Sequence, residues 1–516
     1  GGDSILAIQI VARAHKAGLS LSPGDIFETL TIARLATRCS TAAAAATATR
    51  STGPVQLTPA QSWYLEPLQS TLDHWNQAVH VRLPVPVPLA DLRRTLKTLG
   101  ERHDALRLRF ARSEDGWRAI CAETATDPDV LPVPDIAVAR AMADQPFDLT
   151  RPPLLRVAAI GTDDRADELL LAAHHLIVDA VSWSILLEDL AQLLRDSTTA
   201  ALAPPSAALA ECGEAFAEDA SSGTTLAELP YWRDALTRDV SPLPLTAGPA
   251  PDLVEGEATV TVRLDRETTR ALLDEVPRRG RIRVQELLLA ALGQTLGQWT
   301  QGRSLRLWLE GHGREALDAE VDLARAVGWF TSLFPLALTL PTDDSPAALL
   351  RSVKEQLRAV PRRGIGYGML RHCGTDDVRH ELATLEEPGL VFNYLGDVDR
   401  LLSTADAFRP TGPLELHRAK EARRRFPLEV VAWVIDGQLT VDWAYPSAAL
   451  ATAEVQRLAD GLLANVRDLV AHCRAETGVK AEAGDFPLAR LDAARMEKLA
   501  AALQRADSGA TRGSRP

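Results

Sequence analysis

Strand-like and helix-like periods alternate along this sequence, which predicts an α/β protein, and three stretches carry that reading. Leu169–Ala173 is a short apolar run suited to a buried strand. After it, Trp183, Leu186, Leu187, Leu190 and Leu194 recur at helical spacing, with Asp179 or Ser182 available to cap the start. Val284–Trp299 is amphipathic with a helical period, and Ser304–Leu309 behind it alternates with a period of two. Leu428–Ile435 and Gln438–Tyr445 flank Asp436-Gly437, a hairpin signal.

A chain of 516 residues with 46% hydrophobic and 24% charged residues is long enough for about three soluble domains around a large core. A net charge of −13 argues against nucleic acid as a partner, because phosphate binding needs basic patches. The five cysteines lie far apart without a Cys-x-x-Cys pair, which indicates a reducing cytoplasm and gives no metal site. No apolar run is long enough to span a bilayer, and the first residues do not form a signal peptide, so no membrane partner is expected. The Ala/Arg/Leu-rich, Lys-poor composition points to a GC-rich bacterial genome.

In chain order, Gly1-Gly2-Asp3-Ser4-Ile5 precedes a helix face of Ile5, Ile8 and Val11. A serine there either caps the helix or offers an exposed hydroxyl where the helix dipole favours a phosphate. Residues 1–40 form a small helical unit, and residues 41–54 a linker without a periodic apolar face. Thr58-Pro59 starts the large unit as an N-cap with proline in the first turn. Val79–Leu83, Ala105–Arg112, Trp117–Ala122 and Leu154–Ile160 read as strands, and Leu89–Glu101 as a helix. Residues 196–229, rich in Ala, Ser, Pro and Gly, read as a crossing between a first lobe, 55–230, and a second, 231–490. In the second lobe, Ala258–Leu264 reads as a strand, Thr268–Val276 as a helix and Ala453–His472 as a closing helix. Pro361–Gly368 lacks the glycine spacing of a phosphate loop. The tail, 491–516, holds a short pattern of Met496, Leu499 and Leu503 that suits either a disordered end or a docking helix.

Chemistry concentrates where a rigid element ends. His174, His175 and Asp179 lie at the handover from strand to helix, where an imidazole can be aimed and is partly neutral near pH 7. One of the two histidines is expected to be structural. Leu305, Leu307 and Leu309 face one way, which turns Arg306, Trp308 and Glu310 the other way, beside the glycines of Glu310-Gly-His-Gly-Arg314-Glu. Asn393 is the one polar side chain in the apolar run Val391–Leu395, and a buried amide needs partners.

His174-His175-x-x-x-Asp179 resembles the signature of the condensation superfamily of nonribosomal peptide synthetases, built like chloramphenicol acetyltransferase. The continuation Ala180-Val181-Ser182-Trp183, Glu310-Gly-His-Gly-Arg-Glu315, Val327-Gly-Trp-Phe-Thr331 and Val391-Phe-Asn-Tyr-Leu-Gly396 resemble its epimerisation branch, with Asp397 where Arg or Gln is usual. Leu57–Tyr64 resembles its opening motif, to which a packing role is assigned. Gly1–Ile5 is similar to the carrier-protein site that accepts 4′-phosphopantetheine on its serine, here Ser4. The resemblance covers about residues 1–40 and 55–490.

It implies two sandwich lobes in a V-shaped pseudo-dimer, preceded by a partial carrier lacking its first helix. It further implies inversion of the α-carbon of an aminoacyl or peptidyl thioester. His175 and Glu310 would be the bases on opposite faces, His175 neutral and Glu310 ionised. Asn393 and Tyr394 would donate to the enolate, and His174, Asp179 and Arg314 would be structural. Neither pyridoxal phosphate nor a metal is needed. The implied partners are an upstream adenylation domain, a downstream condensation domain and a phosphopantetheinyl transferase. Condensation-type acyl transfer and a non-catalytic carrier-docking module are the competing readings.

Overall fold

The computed structural model describes residues 50–66, 71–114, 116–162, 164–196, 205–245, 252–280, 282–319, 321–402 and 408–475, with residue 202 and parts of 10–41. Ser4 and the tail with Met496, Leu499 and Leu503 lie outside the described residues. In the N-terminal fragment, Ile32–Arg38 is a helix, and Leu19–Ser20 pairs antiparallel with Ser40–Thr41.

Two mixed sheets carry most of the rest, beside a three-stranded antiparallel sheet of Gly53–Val55, Gly116–Cys121 and Leu108–Ser113. In the first, Trp75–Pro88 pairs antiparallel with Arg165–His174, which pairs antiparallel with Leu155–Gly161, and Asp129–Val133 runs parallel at the edge. Leu169, Leu171 and Ala173 face a core shared with helices Leu89–Arg102 and Ala180–Arg195. Leu170 and Ala172 face Ala139 and Ala143 of helix Ile136–Ala143 on the other side. Burial on both faces is why this strand reads as an unbroken apolar run, and each leucine so buried contributes about 1.5–3 kcal/mol.

The second sheet is ordered Glu257–Arg263, Gln438–Pro446, Leu428–Ile435, Leu390–Asp397, Ser304–Gly311 and Ser332–Thr339. Leu428, Val430, Ala432 and Val434 share a core with Leu287 and Leu288 of helix Val284–Thr300 and Leu462 of helix Thr452–Ala475. The alternate residues Glu429, Val431 and Trp433 line a cavity instead. The expected hairpin is present: Ile435 faces Gln438 across Asp436 (φ 50°) and Gly437 (φ 69°), both in the left-handed region that a tight hairpin needs.

Two segments depart from the sequence expectation. Residues 196–229 are not only a crossing, because Leu209–Ala220 is a helix burying Leu209, Cys212, Phe216 and Ala220. Small residues around these four hid the helical spacing. Arg409–Pro410 and Glu415–Arg418, which lie in sequence between strands of the second sheet, add to the first sheet along Trp75–Pro88. An Arg140–Glu415 fork at 2.8–3.2 Å holds the crossover, whose strands are too short to show a period. Among the described residues no helix is long and apolar enough to cross a membrane, and no cluster of His, Cys, Asp and Glu could hold a metal.

Candidate active site

The strand Arg165–His174 ends in the histidine pair, and the two imidazoles have different surroundings. His174 is fully buried. Its Nε2–H donates to the Leu72 carbonyl at 2.9 Å, and its Nδ1 accepts from the Leu176 N–H at 3.1 Å. Burial pushes its pKa down to about 3. Both ring nitrogens are used, so the side chain holds the turn.

His175 begins the short turn His175–Ile177 and lines the cavity. Its Nδ1–H donates to the Val178 carbonyl at 2.8 Å, which leaves the lone pair on Nε2. Burial pushes its pKa down to about 4, so the ring is neutral near pH 7. Trp329 stacks on it with ring centroids 4.0 Å apart, and Trp75 meets it edge-on at 5.8 Å. The opening motif supports this corner. Gln61 Nε2 donates to the Leu176 carbonyl at 2.8 Å, and Thr58 Oγ1 donates to the Trp329 carbonyl at 2.7 Å.

Asp179 caps helix Ala180–Arg195, accepting the Ser182 N–H at 2.7 Å. Its carboxylate also takes a fork from Arg314 at 2.7 and 3.0 Å and the Phe330 N–H at 3.0 Å. Burial alone would raise this carboxyl, but the Arg314 charge and these hydrogen bonds hold it below the usual range. Arg314 reaches Asp179 because Gly313 turns the chain at φ 64°, where an added Cβ would meet the Phe330 carbonyl oxygen at 1.6 Å. Ser182 Oγ donates to the Gly328 carbonyl at 2.8 Å. The Val327–Thr331 block is thereby stitched to the same helix start, which sets Trp329 over His175.

Glu310 stands near the end of Ser304–Gly311, on the face the alternation predicts, and lines the cavity with Trp308. The neighbouring strand brings Asn393, whose Nδ2 donates to Glu310 Oε2. Burial, with Glu429 adding to it, pushes the Glu310 pKa up to about 7. The sequence reading expected Glu310 ionised; its surroundings hold the carboxyl well above the ordinary range, so it keeps a proton to higher pH than a solvated glutamate.

One cavity of about 990 Å³ connects the two groups, its lining including His175, Glu310, Trp75, Trp329, Asn393 and Trp433. A smaller one of about 160 Å³ shares Ala180, Glu310, Thr331, Asn393 and Leu395 with it, so the two meet at Glu310. Tyr394 lines the smaller space, and the large cavity's lining does not include it. The reason is the strand period: Asn393 and Tyr394 are consecutive and point to opposite faces. Of the two expected enolate donors, one is engaged by Glu310 and the other stands away from the large cavity.

The sequence reading missed Gln77. Trp183 Nε1–H donates to Gln77 Oε1 at 3.0 Å, which turns the amide nitrogen toward His175 Nε2, 2.9 Å away. Gln77 is opposite Ala173 in the register, nearly fully buried, and lines the large cavity. An uncharged polar pair, Asn76-Gln77, just ahead of the alternating run Val79–Leu83 was the available signal.

Comparison with known proteins places this geometry. Residues 51–480 match the Condensation domain family, and residues 1–39 match the phosphopantetheine attachment site family. The chain belongs to the condensation-domain family. With a phosphopantetheine attachment site ahead of that domain, it is a carrier-and-condensation-superfamily piece of a nonribosomal peptide synthetase. Chondramide synthase cmdD of Chondromyces crocatus is 37% identical over 95% of this chain, and a linear gramicidin synthase polypeptide of Brevibacillus parabrevis is 35% identical over 96%. The chain spans 13% and 10% of their lengths. The epimerization domain from the third module of a tyrocidine synthetase superposes with a TM-score of 0.74 at 29% identity, over 83% of this chain and 98% of that one. The condensation domain of the Monacolin K polyketide synthase shares the fold, with a TM-score of 0.63 at 18% identity over 82% of this chain and 98% of that one.

Proposed function

We propose that the large unit inverts the α-carbon of an aminoacyl or peptidyl thioester tethered to a carrier, converting the L to the D configuration by acid–base chemistry. The observation that carries this reading is that His175 and Glu310, supplied by different sheets, line one cavity. A thioester acidifies its α-proton, so a side-chain base can remove it. Inversion then needs a second group to return a proton on the opposite face. His175 presents a lone pair on Nε2 and Glu310 carries a proton part of the time, which together are the base and acid of one turnover. The large cavity has the size for a tethered acyl chain. The likeness to the tyrocidine synthetase epimerization domain supports the same reading.

Ser4 is the residue proposed to hold the 4′-phosphopantetheine arm, which supplies the thiol of the thioester. The setting that goes with this reading is a bacterial cytoplasm. An upstream adenylation domain loads the carrier, a phosphopantetheinyl transferase primes it, and a downstream condensation domain takes the D form. A carrier-bound aminoacyl thioester incubated with the protein in deuterated buffer should gain deuterium at the α-carbon and yield both epimers. A condensation catalyst would form an amide without that exchange, and a docking module would do neither.

A further inference from the structure

Asn393 gives one amide N–H to Glu310 and Tyr394 stands away from the large cavity, so a thioester carbonyl seated beside His175 needs a donor on that side as its α-carbon loses a proton. Gln77 is placed to supply one. Its Oε1 is held by the Trp183 indole N–H at 3.0 Å, so the amide cannot turn over without setting donor against donor. Its Nε2 stands 2.9 Å from His175 Nε2. The His175 tautomer is set by the Val178 carbonyl, so the amide N–H donates to the same lone pair that would take the α-proton. A substrate can present its Cα–H to that lone pair only by displacing the amide. The thioester carbonyl carbon is one bond from that Cα, which brings its oxygen to the displaced N–H.

Resting on the reading of the large unit as an epimerase, we propose that the Gln77 side-chain amide is a further catalytic residue, a donor that moves from His175 Nε2 to the thioester oxygen as substrate binds. In the step that follows, the Cα–H bond breaks and its proton forms an N–H bond at His175 Nε2. The released electron pair moves into the Cα–C bond and onto the carbonyl oxygen, where Gln77 donates. Protonation from Glu310 on the other face returns the pair to Cα. The amide also opposes protonation of His175 in the empty site, because a protonated Nε2–H would be a donor facing a donor, and the amide nitrogen has no lone pair with which to accept it. Holding the ring neutral until the substrate arrives and stabilising the enolate afterwards are thus two uses of one hydrogen.

The experiment measures α-deuterium incorporation into a carrier-bound aminoacyl thioester supplied in trans to the full chain, with kcat and KM separated. It also follows the ¹⁵N resonances of the His175 ring in the substrate-free protein across pH. Loss of one enolate donor typically lowers kcat by about 10²–10³. Gln77→Leu should show that loss with KM for the loaded carrier changed by less than about threefold. Gln77→Glu keeps the shape and carries the test if the leucine variant does not fold. It should lose kcat similarly while His175 takes up a proton at higher pH than in the wild type, because a carboxylate accepts where the amide donated. Trp183→Phe, which frees the amide to turn over, should cost less, about tenfold. If Gln77→Leu exchanges at the wild-type rate, or Gln77→Glu does so with an unmoved His175 titration, the proposal is overturned while the epimerase reading stands. If the wild type incorporates no deuterium, the epimerase reading itself falls and takes this proposal with it.

Discussion

The histidine end of the first sheet and the glutamate end of the second share one plan with unequal support. Each places a titratable group where a strand stops beside the large cavity. His175 has the Val178 carbonyl on one nitrogen, the Gln77 amide at the other, and Trp329 stacked on its face. Glu310 has Asn393 and a like charge, Glu429, as its named neighbours. Burial disfavours the charged form of both, so it lowers the imidazole to about 4 and raises the carboxyl to about 7. The same physical cause therefore favours the uncharged form of both groups, and Glu310 keeps its proton to higher pH than an ordinary carboxyl. The histidine is held in one tautomer, whereas the carboxyl is left free to gain and lose its proton near neutral pH.

The largest effect expected is on the proton return. Glu310→Gln should lower epimerisation by roughly 10²–10⁴ while His175 still exchanges the α-proton on its own face. Chiral analysis beside deuterium incorporation separates the two, and unaltered epimerisation would mean that one base serves both faces. Next comes the frame common to both ends. Asp179→Ala leaves the Arg314 guanidinium buried and unpaired between the helix start and the loop after Glu310, a loss of about 3–5 kcal/mol measurable by urea denaturation. A change under about 1 kcal/mol, the range of an exposed ion pair, would show that the pair is not what joins the two ends.

The pH profile tests the unequal tuning directly. His175, with its folded pKa lowered, must be neutral to abstract, so activity is lost as pH falls through about 4. Glu310, with its pKa raised, must hold a proton to return it, so activity is lost as pH rises through about 7. Glu429→Gln removes a nearby negative charge, which lowers the Glu310 pKa and should move the alkaline limb to lower pH while the acid limb stays in place. Movement of the acid limb instead would assign the charge effect to the wrong base. The smallest effect is a control remote from both ends. Gly437→Ala places a Cβ at φ 69° in the hairpin, which should cost about 1–2 kcal/mol of stability and leave both limbs unmoved.

Most of the elements were legible from period and punctuation. The apolar run before His174 became the strand Arg165–His174, and the alternation through Glu310 became Ser304–Gly311 with the carboxyl on the expected face. Thr58-Pro59 became a capping box closed by Gln61. These features depend on residues a few positions apart, and local backbone geometry enforces them whatever lies elsewhere in the chain. His175 and Glu310, which line the large cavity, were also visible as polar groups standing at the ends of apolar elements.

What the tertiary structure decided were contacts between residues far apart in sequence. Gln77 meets His175 and Trp183 only because Trp75–Pro88 pairs with Arg165–His174 in one register. Asp179 meets Arg314 only because the two halves of the chain pack at the cavity, and Glu415–Arg418 leaves its own half to extend the first sheet. Which of Asn393 and Tyr394 lines the large cavity was not written in the sequence, because the strand period says that neighbours face apart but not which side the cavity takes. The raised pKa of Glu310 belongs to the same class. A carboxyl's type and spacing are written in the sequence, but its pKa depends on how much water and which charges the folded chain leaves beside it.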